Sequence, residues 1–350
     1  MTVLHDSPRT ARLWPVLVLA LVGAAAGWRA WPAPPAGAPV WPPPPDVARI
    51  RFVTAIAEPK DVGAGGSWLG RAASAILGRK RQPRIVRPRA MAVDHSGRLL
   101  VADPEQRIVH VFDVAGRKYS YLEPAPFASP VGIAVGPDDA IYVTDSERRR
   151  VFVYGPNGKL RNTLGVRGGE PVFVRPTGIA VGPDGRLHVV DTVACTITTM
   201  TTRGDVVRVV GQRGAGDGEF NYPTDIAVGR DNRVWVVDSL NARLQVLDAD
   251  GRFVRRFGRR GNGTGDIDKP KGVALDSDGH VYVAEGMHDV VQIFDQEGRL
   301  LLVVGASGNG RGQFCLPAGV SMDAADRLYV ADALNGRVQV FQYIRQPDAR

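Results

Sequence analysis

Carboxylates recur along this chain at near-constant intervals: Asp103, Asp145, Asp191, Asp238, Glu285 and Asp332 follow one another at steps of 42, 46, 47, 47 and 47 residues. Six carboxylates brought onto one ring would suggest a cation site, because Ca²⁺ gathers about six to eight oxygens at a single point. Each acid closes the same phrase, however, and the clearest copies place it beside Asn241 or Asn335 and Arg243 or Arg337. A residue that every copy carries is most simply scaffold, so capping of turns and pairing with the adjacent arginine is its expected role. Departures from the phrase are better candidates for binding. Glu285, with His288 and Asp289 in "EGMHD", is the odd member of the series, and Asp225 replaces the glycine of "PTG".

Zinc chemistry needs about three convergent protein ligands. Of the six histidines, His5 lies near the N-terminus, His95 and His280 flank first turns, and His110 and His188 belong to strands of different copies. His288 alone is expected on the functional face, so a histidine-held zinc is not expected. No G-x-S-x-G, P-loop or C-x-x-C-H motif is present, and no cofactor or catalytic residue is assigned. Cys195 and Cys315 fall in the third copy and just before the sixth, too far apart around a ring to form a disulfide.

The formal charge of +8 is local. Arg71, Arg79, Lys80, Arg81, Arg84, Arg87 and Arg89 fall between Gly63 and Ala90 with no acid among them. Ahead of the cluster, Trp68, Leu69, Ala72, Ala73, Ile76 and Leu77 fit one face of a short helix that Ser67 can cap and Gly78 can end. This insertion, residues 66–88, breaks the repeat more clearly than any other segment. It is expected on the loop-rich face near the channel, as a lid or as a dock for an anionic partner. Arg79, Lys80, Arg81, Arg84 and Arg87, with Asp225, Glu285 and His288, are the candidate binding residues. Nucleic acid is not an expected partner, since the basic run lacks interleaved aromatics.

At the N-terminus, Arg9 and Arg12 precede an apolar run, Leu13 to Trp28. This suits a signal peptide or a membrane anchor and predicts an exported protein, periplasmic or otherwise extracytoplasmic, secreted or tethered. The stretch "WPAPPAGAPVWPPPP" that follows reads as a stiff polyproline spacer.

The elements that must position these residues follow from the period. A proline opens each copy at Pro88, Pro130, Pro176, Pro223, Pro270 and Pro317, at the same steps as the acids. Within a copy such as Pro223 to Gly258, the runs "DIAV", "RVWVV", "RLQVLD" and "RFVRRF" alternate with the turn sequences "GRDN" and "DADG". This spells four short strands and forbids helical repeats. Six such units predict an all-β, six-bladed β-propeller. The sixth unit supplies only three strands, and "ARIRFVTAIA", Ala48 to Ala57, is predicted to be its outer strand and to zip the ring shut.

The phrases "PVGIAV", "PTGIAV", "PKGVAL" and "PAGVSM", with "YVAD", "NGRVQVF" and the linkers "GQRGAGDGEF" and "GASGNGRGQF", resemble the NHL-repeat family over roughly residues 48 to 344. The resemblance implies a propeller of NHL-type blades, and its bacterial exported members fit the N-terminal segment. The expected organisation is a signal peptide or anchor at 1–30, a proline-rich linker at 31–47, a propeller at 48–344 and a tail at 345–350. The expected function is a monomeric protein-binding or assembly module of the cell envelope. Its partner would be an envelope protein or an anionic envelope ligand. The alternative is a divalent-metal-dependent hydrolase or lyase with its site at the channel mouth.

Overall fold

A computed structural model describes residues 31–64, 84–124 and 126–345 of the chain. Among these, six antiparallel sheets form the blades, five of them from consecutive strands and the sixth completed from the N-terminal side. Blade one consists of Ala90–Val93, Leu99–Asp103, Ile108–Asp113 and Lys118–Tyr121, and blade four of Pro223–Val228, Val234–Asp238, Arg243–Leu247 and Phe253–Phe257. Innermost strands contact those of the neighbouring blades around the ring, including that of blade six with that of blade one.

The core lies between blades. Tyr142, Val151 and Val153 of blade two pack on Ile179, Leu187 and Val189 of blade three, and comparable layers fill the other five junctions. Second strands are therefore covered on both faces. Each is buried along its whole shared length, and this is why they read as continuous apolar runs. Outer strands such as Val206–Val210 alternate between half-buried and exposed, as one-sided strands do.

Closure is as the sequence predicts. Ile50–Ile56 pairs antiparallel with Arg337–Tyr343, and Ile50, Phe52 and Ile56 are buried at 0, 3 and 1% exposure. The sequence did not anticipate a fifth strand. Val40–Trp41 adds to the outside of Ile50–Ile56, and the Trp41 ring meets Phe341 edge-on at 5.7 Å. Part of the proline-rich linker thus belongs to the propeller.

The linkers between blades follow from glycine chemistry at one position. Gly211 has φ of 93°, and a Cβ there would lie 2.7 Å from the Phe220 ring. "GQRGAGDGEF" therefore folds back so that Phe220 plugs the junction with no exposure. Cys195 and Cys315 are free thiols, as expected.

Candidate functional site

The six recurrent acids are latches. Asp103 accepts N–H bonds from Val86 at 2.7 Å and Arg87 at 3.3 Å, Asp145 from Ala128 and Ser129, and Asp191 from Val174 and Arg175. Asp238 and Asp332 accept from the Asn221 and Cys315 amides and from the side chains of Asn241 with Arg243 and of Asn335 with Arg337. Each carboxylate pins the segment that enters its innermost strand, so its oxygens are spoken for. Glu285, a candidate contact on sequence grounds, is fully buried and accepts from the amides of Asp268, Lys269 and Met287. Its extra methylene leaves it in the same latch role as the aspartates.

The channel runs down the innermost strands as a cavity of about 270 Å³ with mostly aliphatic walls, including Ile133, Ile179, Ile226 and Val320. Third positions of these strands sit at its throat. A Cβ at Gly178 would lie 2.6 Å from the Asp225 Cα, and one at Gly319 would lie 2.6 Å from the Arg89 carbonyl oxygen. Blades thus approach too closely there for most side chains, and Asp225 is the single acid in the lining. Its Oδ2 accepts the Val273 N–H at 3.1 Å. It keeps some exposure to the lumen, yet protein surrounds it on all sides. Burial pushes its pKa up to about 6, against the pull of the Arg89 guanidinium from the opposite blade.

Arg89 and Lys271 occupy the second positions of blades one and five. Burial lowers the pKa of Arg89, which Asp225 partly offsets. Burial likewise lowers that of Lys271, and repulsion from Arg89 adds to it. With Arg87 they line a pocket of about 190 Å³ whose remaining wall is Pro104, Leu316, Pro317, Ala318 and Ala333. No acid lines it. Among the described residues, no carboxylate lies within ion-pair distance of Arg84, Arg87, Arg89 or Lys271. Arg98, Arg243, Arg259, Arg327 and Arg337, by contrast, each hold an aspartate at 2.6 to 2.8 Å.

Of the residues singled out in the sequence, Arg79, Lys80 and Arg81 lie outside the described residues. Arg84 is exposed, and its carbonyl accepts a bond from the Gln106 amide. Arg87 is exposed at the cationic pocket. His288 is half-buried on the second turn of blade five, on the same face as the pocket. Asp289 beside it bonds the Leu316 N–H and the Ser307 hydroxyl, which ties that turn to blade six. His95 and His280 stand at first turns, on the opposite face, bonded to Asp139 and Asp276. The helical part of the insertion, with Trp68, Leu69, Ala72, Ala73, Ile76 and Leu77, lies outside the described residues, and only its flanks are placed. Its C-terminal flank does emerge at the channel mouth, where the Ile85 N–H bonds the Ala57 carbonyl. Its N-terminal flank instead descends the outer wall of blade one, because Val62 is drawn into the apolar junction with Phe112 and Val114, and Gly63 abuts Arg117 at the far turn.

Sequence reading missed Arg89 and Lys271. The signal was available: the second position of the six units reads Arg89, Val131, Thr177, Thr224, Lys271 and Ala318, and only two copies carry a charge there.

A divalent ion at the mouth would need several convergent oxygens. The lining offers one carboxylate, with one oxygen already bonded to an amide and two cations on neighbouring second positions. No three His, Cys, Asp or Glu side chains converge anywhere among the described residues. The donor set does not fit a divalent metal.

Asp225 supplies a test. A carboxyl whose pKa is raised on folding binds its proton more tightly in the folded state. Its contribution to stability is therefore full below about pH 4 and is lost as the pH rises through about 6. Asp225→Asn should gain about 1–2 kcal/mol near pH 7.5, a figure reduced for the solvent in the lumen, and nothing near pH 4. Urea unfolding at the two pH values checks this, and an equal effect at both would contradict it.

Three comparisons bear on this architecture. The family described as SMP-30/Gluconolactonase/LRE-like region matches residues 88–322, and the NHL repeat matches residues 314–341. No curated protein matches the chain. Among solved structures, a structural genomics protein of unknown function from Bacteroides thetaiotaomicron is 16% identical with a TM-score of 0.62, over 84% of this chain and 75% of that one. A gluconolactonase from Xanthomonas campestris is 16% identical with a TM-score of 0.59, over 84% and 98%. Virginiamycin B lyase from Staphylococcus aureus is 15% identical with a TM-score of 0.55, over 74% and 96%. At these identities the likeness shows the fold.

Proposed function

Because the chain belongs to the SMP-30/gluconolactonase/LRE-like family and carries an NHL repeat, and such a propeller fixes a fold rather than an activity, we propose that it is an exported, membrane-tethered binding module. Its partner is an acidic protein of the cell envelope, bound on the loop-rich face. The observation that carries this reading is the set of cations there, Arg84, Arg87, Arg89 and Lys271, with no carboxylate in ion-pair range among the described residues. Unpaired cations at a shared face raise the local potential and draw acidic partners. Export and tethering rest on Arg9, Arg12 and the apolar run Leu13 to Trp28. Among the described residues no helix is long and apolar enough to cross a membrane; the proposed tether is that N-terminal run.

The test replaces Arg79, Lys80, Arg81, Arg84 and Arg87 with Ser. Exposed charges contribute little to folding, so the melting temperature should hold. Cross-linked capture of envelope proteins should fall several-fold. The salt sensitivity of the native chain, expected as the Debye length drops from ~10 Å at 0.1 M to ~3 Å at 1 M, should flatten. Unchanged capture with unchanged salt dependence would end the docking reading.

A second reading is a hydrolase or lyase at the channel mouth. The family match and Asp225, with a pKa near the pH at which a general acid or base operates, favour it. The donor set argues against its metal-dependent form.

A further inference from the structure

Two half-buried cations line one pocket whose wall carries no acid, Asp225 standing off across the channel from Arg89. Arg89 and Lys271 converge where blades five, six and one meet, and Arg87 closes the rim. Holding like charges together in a partly desolvated site is unfavourable unless something negative sits between them. Scaffold alone does not account for them, since the matching positions hold Val131, Thr177, Thr224 and Ala318 in the other blades. Lys271 is also given room: a Cβ at Gly286 would lie 3.3 Å from the Lys271 Cγ, so a side chain there would crowd it. The backbone around it is fixed, with the Lys271 carbonyl accepting the Thr224 hydroxyl at 3.1 Å.

The rest of the wall is apolar. Pro104, Leu316, Pro317, Ala318 and Ala333 form it, so a hydrated inorganic anion would leave that surface in contact with water. The volume of about 190 Å³ equals about six waters' share of liquid water. That holds one charged group with a few carbons, and not a folded segment. Arg89 offers a planar fork suited to two oxygens of one group, and Lys271 a point charge beside it. Asp225, opposite Arg89, discriminates against a second negative charge reaching down the channel.

The geometry points to a binding site for a single carboxylate on a short aliphatic body, gripped by Arg89 and Lys271 with its carbons on Leu316, Pro317 and Ala333. This goes beyond the docking reading, because the pocket can take a small acid whether or not a protein covers the face. The same chemistry has two sources, a free short-chain acid or the terminal carboxylate of a polypeptide.

The probe is valerate, titrated calorimetrically into the full chain at low ionic strength, with valeramide as its uncharged isostere. Valerate should bind saturably and valeramide should not. Lys271→Met and Arg89→Met should each weaken valerate at least tenfold, while Arg84→Ser, outside the pocket, should leave it unchanged. Lys271→Met keeps the test decisive if Arg89→Met fails to fold, since the lysine side chain makes no hydrogen bond or ion pair among the described residues. A peptide ending in leucine, with a free or an amidated terminus, separates the sources: a free terminus tighter than valerate identifies a chain end, and a weaker one a small acid, and either supports the site. Equal binding of valerate and valeramide, tighter binding of inorganic phosphate than of valerate, or native affinity in Lys271→Met would overturn it. Unchanged protein capture in the five-serine variant, with saturable valerate binding by the native chain, would end the docking reading and leave this site standing.

Discussion

A chain that begins at Val62 should fail to hold the ring, whereas one that begins at Trp31 should melt as the whole propeller does. The shorter chain loses Ile50, Phe52, Val53 and Ile56, all buried. Each is worth about 1.5–3 kcal/mol, so their sum approaches the whole stability of an ordinary domain, about 5–15 kcal/mol. It also bares the edge of Arg337–Tyr343, the partner of the missing strand, which is a template for aggregation. Thermal melts with light scattering compare the two. Phe52→Ala in the full chain, expected to cost about 3–5 kcal/mol, isolates the packing from the truncation. Equal melting temperatures for the two chains would remove the zip from the account of stability.

The second large effect is expected at Asp238. Its carboxylate is fully buried and holds the Asn221 amide, the Asn241 side chain, the Arg243 Nε at 2.8 Å and the Gln245 amide at 3.1 Å. Arg243 keeps only 8% of its side chain exposed. Asp238→Ala therefore strands a buried guanidinium as well as three neutral donors, and breaking such a pair from one side costs about 3–5 kcal/mol. Asp238→Asn keeps the shape and one acceptor and should cost less. EDTA should move the melting temperature of neither the native chain nor the variants. Urea unfolding decides the first point. A chelator-induced drop of many degrees would instead mark the strand-end acids as ion ligands.

Much of this was legible because repetition averages away local ambiguity. One copy of "RVWVVD" could be a buried strand or part of a buried helix, but six at a fixed period, each closed by an acid and opened by a proline, leave one arrangement. Closure was readable for the same reason, as a deficit of one strand in the sixth unit matched by an orphan run. The site was harder. Asp225 stood out because it replaced a glycine, but its partner across the channel lies in a blade three units away, and only folding reveals which positions are opposite. Glu285 looked exceptional in sequence for its residue type, and in the fold it performs the common task with a longer arm. Arg89 was hidden within a basic cluster, where its neighbours made it look like one more solvated charge. Val40–Trp41 was masked by prolines, which argue for an isolated spacer until a strand edge is there to receive the two residues between them.

The pairing of Ile50–Ile56 with Arg337–Tyr343 also sets a schedule. During synthesis or passage through a membrane the chain emerges from its N-terminal side, so the strand that seals blade six is delivered early and its partner late. Every intervening blade can form its hairpins from neighbours in sequence. The seal alone must wait, and it carries the largest loop-closure cost in the molecule. Until the late strand arrives, the early one is an unpaired apolar segment, and whatever shields it in that interval governs the yield of folded protein. Circular permutation that joins the two strands through a short loop and opens a different turn would remove the wait, and should speed refolding while leaving the finished ring unaltered.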